Sequence, residues 1–142
     1  MLFRSGIDGS SIGAPFDLLV ADLSFISLRT VLADLVGMVG DGSPMILLVK
    51  PQFEAGKTEV DRGSGVIRDP TVWAMVLEAV DVAIRDCGAA IMDGMPSPTT
   101  VPHATVELLV YVRNRALGAP LGLAGLVPVA VRATRGSDVH GP

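Results

Sequence analysis

Two short apolar runs constrain this chain more than any other feature. DLLVADL, residues 17–23, and PMILLVK, residues 44–50, are too short for buried helices and are bounded by charged or turn residues, so both read as buried strands. Between them Ser27 offers an N-cap. Leu28, Val31, Leu32, Leu35, Val36 and Val39 then repeat at helical spacing, and GDG at 40–42 stops the helix. Strand, helix and strand in that order form a crossover between parallel neighbours.

The pattern then repeats. PQFEAGKTEVDRGSGVIR, residues 51–68, reads as a long glycine-containing loop. Asp69 followed by Pro70 starts a second helix, Trp73, Val76, Leu77, Val80 and Ile84 share one face of it, and Gly88 closes it. AAIMDG, 89–94, is a third strand. A proline-rich connection, MPSPTTVPH, leads to a fourth, TVELLVYVR, at 105–113. The order β-α-β-α-β-β predicts an α/β fold with a mostly parallel sheet whose last strand is antiparallel. Residues 1–16 read as loop. Residues 114–142 form a tail in which PVAVRATRG, 128–136, could make a short helix.

Composition sets limits on function. With 142 residues, 49% of them hydrophobic, the chain can bury one core. Cys87 is the only cysteine, which excludes an internal disulfide and fits a reducing cytoplasm. His103 and His140 lack any zinc-ligand spacing, so no metal is expected. The longest apolar run is strand-sized, so no membrane span is expected, and the start, MLFRSGIDGSS, is a poor signal peptide. The net charge of −4 has the wrong sign for a free-standing nucleic-acid module, so other segments must supply much of any RNA affinity.

Four strands and two helices of this type make half a doubly wound domain. The other half would carry a glycine-rich cofactor turn; GSG at 63–65 is not one, so the chain is expected to be truncated at its N-terminus. Lys50 ends an apolar strand and is followed at once by proline. Asp22 ends the neighbouring strand, and Glu107 lies on the last. Taken singly, each has an ordinary reading: a snorkelling lysine, a turn-capping aspartate, a solvent-facing glutamate. Phe25 and Phe53 could stack on a base or cofactor, or anchor the core or a loop. Lys57, Arg62 and Arg68 could meet RNA phosphate or only solvent, and Cys87 fits a packing role.

DLLVADLSFISL, LLVKPQFEAGK, GSGVIRDP and SPTTVPHATVELLVYVR, in that order, resemble the TlyA/hemolysin-A family over about residues 17–113. The resemblance implies the C-terminal half of a Rossmann-like class I S-adenosylmethionine-dependent methyltransferase domain of FtsJ type, acting in the cytoplasm on ribosomal RNA 2′-hydroxyls. It implies Asp22, Lys50 and Glu107 as catalytic residues, with Asp22 and Leu23 against the cofactor; a further family lysine would lie upstream. Contact with ribosomal RNA or subunits would run mainly through an N-terminal domain. Three positions depart from the family pattern: Val101 in place of glycine, and Ala104 and Thr105 in place of Gly-Asn.

Methyl transfer to a hydroxyl is an in-line displacement that depends largely on alignment. A free lysine, with a pKa near ~10.4, is almost wholly protonated at neutral pH. With two carboxylates beside it, Lys50 is expected to act as a charged orienting group rather than a base. The alternative function is a non-catalytic fragment or pseudoenzyme. Membrane lysis, suggested by the family's older name, is disfavoured, because the helix containing EAVDVAIRD has no basic face.

Overall fold

The computed structural model describes residues 9–62, 65–99 and 105–115. A 3₁₀ turn, Gly9–Ile12, precedes strand β1 (Leu19–Ala21), helix α1 (Leu28–Gly37) and strand β2 (Pro44–Val49). Short helices α2 (Pro51–Glu54) and α3 (Lys57–Arg62) lead to α4 (Pro70–Asp86), β3 (Ala89–Pro96) and β4 (Leu108–Asn114). The four strands form one sheet in the order β1-β2-β4-β3. β1 and β2 pair in parallel, while β4 is antiparallel to both β2 and β3. Three strands therefore run one way, and the last in sequence is inserted against them, as the α/β reading requires.

The caps form as their residues dictate. Ser27 Oγ accepts from Arg29 N at the start of α1, and Asp69 accepts from Thr71 N at the start of α4, with Pro70 at the first helical position. Gly88 ends α4 at φ 78°, a conformation that costs glycine little and other residues more.

The core lies on one face of the sheet. Met45, Leu47 and Val49 of β2 and Leu108, Val110 and Val112 of β4 are fully buried, and they alternate with half-buried neighbours. Leu28, Leu32 and Val36 of α1 and Trp73, Leu77, Val80 and Ile84 of α4 join the same cluster. Truncating one of these fully buried side chains to alanine costs about 2–5 kcal/mol in proteins generally. The opposite face is less covered. Val20, Ile46, Leu48, Leu109, Tyr111 and Met95 fall there by register, and Val20 is 68% exposed and Met95 52%.

Several expectations need correction. Residues 51–68 are not all loop, because Pro51 supplies a fixed φ at the first position of α2 and α3 follows. The first strand is shorter than 17–23 and is not buried throughout. It pairs on one side only and turns Val20 toward the less covered face, leaving Ala21 as its one buried residue. The third strand runs on to Pro96 across an irregularity between Ile91 and Asp93, and the fourth starts at Leu108 rather than Thr105. Gly9–Ile12 is a helical turn inside a stretch read as loop. Val101, Ala104, His103, His140, the 116–142 tail with its suggested helix, and the side chain of Arg62 lie outside the described residues.

Candidate active site at the strand tips

Because β1 and β2 are parallel neighbours, with Ala21 in register with Leu47, they end on the same rim of the sheet. Asp22 is the residue after β1 and Lys50 the residue after β2. Proline at 51 disfavours helical geometry at Lys50, which stays extended at φ −113°, ψ 99°. This is why a charge can end an apolar run: the strand carries it to the rim before the chain turns into α2. There Lys50 Nζ lies 2.6 Å from Asp22 Oδ1 and donates to Ser24 Oγ at 3.0 Å. The pair is asymmetric, with the lysine side chain 11% exposed and the aspartate 65%.

The third expected residue reaches the rim by a different route. β4 runs antiparallel to β2, with Leu108 opposite Val49, so Glu107 at its start stands next to the end of β2. Its side chain accepts from Gln52 Nε2 at 3.1 Å, and its backbone carbonyl accepts from Ser97 N at 2.8 Å. Gln52 Oε1 is buried without a hydrogen-bond partner. The rim thus holds two pairs, Lys50 with Asp22 and Glu107 with Gln52, rather than one cluster of three charges.

Phe25, between β1 and α1, adopts φ 64° and is 90% exposed, so it is no core anchor. Its ring sits 5.2 Å from that of Phe53, tilted by 52°. Leu23 is half-buried and packs against the edge of the core. Thr105 is buried and accepts from Ile67 N at 3.0 Å, which ties the loop before α4 to the approach to β4. Arg68 and Lys57 are exposed. Cys87 packs at the edge of the core, and burial, with Asp86 nearby, pushes its thiol up.

Three further participants escaped sequence reasoning. Ser24 and Gln52 bond to the expected residues. Glu54 is a nearly buried carboxylate bonded to the start of α1. No local pattern announces a contact between a four-residue helix and a helix start 26 residues earlier. Among the described residues no cluster of His, Cys, Asp and Glu could hold a metal, and no helix is long and apolar enough to cross a membrane. Asp22 and Leu23, the residues expected against an adenosyl cofactor, follow β1 at the rim, the first exposed and the second half-buried. The described residues include no glycine-rich strand-to-helix turn.

The sheet order, with the last strand in sequence reversed between the second and third, defines the class: an α/β fold on a mixed four-stranded sheet. No protein-family model matches the chain. It is 42% identical over 117 residues to the 16S/23S rRNA (cytidine-2′-O)-methyltransferase TlyA of Mycobacterium tuberculosis, a match covering 80% of this chain and 43% of that protein. It is 39% identical over 92 residues to a Bacillus subtilis protein named "Putative rRNA methyltransferase YqxC", covering 64% of this chain and 32% of that one. A solved structure titled "Putative hemolysin from Streptococcus thermophilus" superposes with a TM-score of 0.80 at 27% identity, covering 94% of this chain and 48% of the other. The chain is similar to TlyA-type proteins over most of its own length, and it spans less than half the length of these relatives.

Proposed function

We propose that this chain carries one side of the active site of an S-adenosylmethionine-dependent enzyme that methylates ribose 2′-hydroxyls of ribosomal RNA. The observation that supports the reading best is the Lys50–Asp22 pair, 2.6 Å apart at the tips of adjacent parallel strands. The resemblance noted in the sequence implies catalytic roles for its two residues, and proteins similar to the chain carry rRNA methyltransferase names.

The cofactor, when bound, supplies the electrophilic methyl group. The chain's own part is alignment and proton removal. An ammonium has three N–H donors. Lys50 directs one at Asp22 and one at Ser24, so the third can hold the ribose oxygen in line with the methyl. Asp22 fixes the direction of the ammonium. Glu107, oriented by Gln52, is placed at the same rim to take the ribose hydroxyl proton as the oxygen–methyl bond forms and the methyl–sulfur bond breaks. The exposed ring of Phe25, backed by Phe53, offers a flat apolar face to a nucleobase.

The test joins this chain to the N-terminal half of a family member and supplies labelled cofactor and ribosomal RNA. Label should enter the RNA as a ribose methyl, seen as a phosphodiester resistant to alkali. A joined protein that binds both substrates and transfers nothing would favour the non-catalytic alternative.

A further inference from the structure

The segment Lys50–Glu54 and the segment Asp22–Arg29 lie side by side and meet in sequence order. Lys50 meets Asp22 and Ser24, Phe53 meets Phe25, and Glu54 meets Ser27, Leu28 and Arg29. The last meeting is the most extensive. Glu54 Oε1 accepts from Leu28 N at 2.6 Å, and Oε2 accepts from Ser27 Oγ at 2.5 Å and from Arg29 Nε at 3.4 Å. Arg29 Nη2 donates back to the Glu54 carbonyl at 3.0 Å. The Glu54 side chain is 1% exposed, whereas Asp22 at the other end of the ladder is 65% exposed. Buried charge-assisted bonds to a helix N-terminus hold far better than an exposed ion pair. Between the two ends sits Phe25 at φ 64°, a backbone state that a non-glycine residue keeps only where its surroundings impose it.

We infer that Glu54 is a positioning residue: its carboxylate locks the turn after β2 onto the start of α1 and thereby sets the Lys50–Asp22 pair at the rim. Its consequence for turnover rests on the methyl-transfer reading above; the positional claim does not. Loosening the Glu54 end frees the 22–27 turn to relax from the strained state at Phe25, and the partly exposed Lys50–Asp22 contact cannot hold the turn alone.

The chain itself provides a clean assay, because Lys50 and Lys57 are its only lysines and Lys57 is exposed. Acetylation by an N-hydroxysuccinimide ester, followed by peptide mass spectrometry, gives the Lys50/Lys57 rate ratio within one molecule. Glu54→Gln keeps the shape and one acceptor oxygen. It should raise the ratio about fivefold, the size expected when one partly exposed pair loosens. Ser27→Ala, a milder cut in the same network, should raise it less, and carries the test if Glu54→Gln does not fold. Arg85→Met breaks the Asp81–Arg85 pair on α4, away from the rim, and controls for general destabilisation. An unchanged ratio in the Glu54 or Ser27 variant, or an equal rise in Arg85→Met, overturns the proposal. In the joined protein Glu54→Gln should lower kcat at least tenfold and leave the KM for RNA unmoved. Loss of both parameters together would also count against positioning. Absence of methyl transfer in the unsubstituted joined protein would sink the enzymatic reading and leave the acetylation result standing.

Discussion

On the proposed methyl-transfer reading, replacing Lys50 by alanine separates catalysis from stability. The substitution removes a 2.6 Å ion pair with Asp22 and a 3.0 Å hydrogen bond to Ser24. The Asp22 side chain is 65% exposed, so solvent screens the pair, while the Lys50 stem, 11% exposed, adds lost packing; together they cost ~1–2 kcal/mol of folding stability. For a domain of this size each kcal/mol lowers the melting temperature by roughly 2–5 °C. The catalytic loss is set by a different quantity. Holding the reacting oxygen in line is an alignment effect, and a misplacement of ~1 Å costs on the order of 10²-fold in rate. Lys50→Ala in the joined protein should therefore melt only modestly lower and bind cofactor within a few-fold of the unsubstituted protein, while its single-turnover rate on ribosomal RNA falls about a hundredfold by the same reasoning. Lys50→Arg should fail nearly as badly and be still closer to normal in stability. The guanidinium keeps the charge and can still pair with Asp22, but its planar fork does not put a donor where the compact ammonium does. The measurements are a thermal melt, a cofactor titration and methyl incorporation after rapid mixing. Turnover within threefold of the unsubstituted protein in Lys50→Ala would remove the lysine from the mechanism.

Three other outcomes follow from the structure. Thr105→Val leaves the buried N–H of Ile67 without its acceptor and should lower stability by about 1–3 kcal/mol in a urea titration; a change near zero would show that the loop re-pairs. Val20, 68% exposed on an edge strand, and Leu18, 57% exposed beside it, should make the isolated chain self-associate, and Val20→Lys should shift sedimentation toward the monomer. Because burial and Asp86 raise the Cys87 pKa, the thiol should react with iodoacetamide more slowly than a free cysteine near neutral pH. Above the ordinary thiol range the unfolded chain ionises first, so stability should fall with rising pH in the native chain and less so in Cys87→Ser.

Much of the fold was legible because its signals are local. The periodicities of α1 and α4, the caps at Ser27 and Asp69, and the apolar runs of β2 and β4 each lie within one turn or one strand of the residues they describe. Val20 was misread because a run of apolar residues tells nothing of which face of a sheet is covered. Helix α2 was hidden in a glycine-containing stretch, although Pro51 could have marked its first position.

The rim was legible for a different reason, and only in part. Its chemistry sits where strands end, so the members it shares are decided by strand direction and order rather than by spacing in the sequence. Parallel β1 and β2 bring Asp22 to Lys50, and a βαβ pattern is enough to foresee that. Glu107 arrives only because β4 enters the sheet reversed, between β2 and β3, which puts the start of β4 beside the end of β2. Run parallel in the same slot, the same strand would carry Glu107 to the far edge of the sheet, roughly 20 Å away at ~3.3 Å per residue. The sequence suggested that the last two strands pair antiparallel, but it gave no sign that the fourth lies against β2. That one placement turns a glutamate that alternation alone would leave facing solvent into a neighbour of the Lys50 segment, joined to it through Gln52.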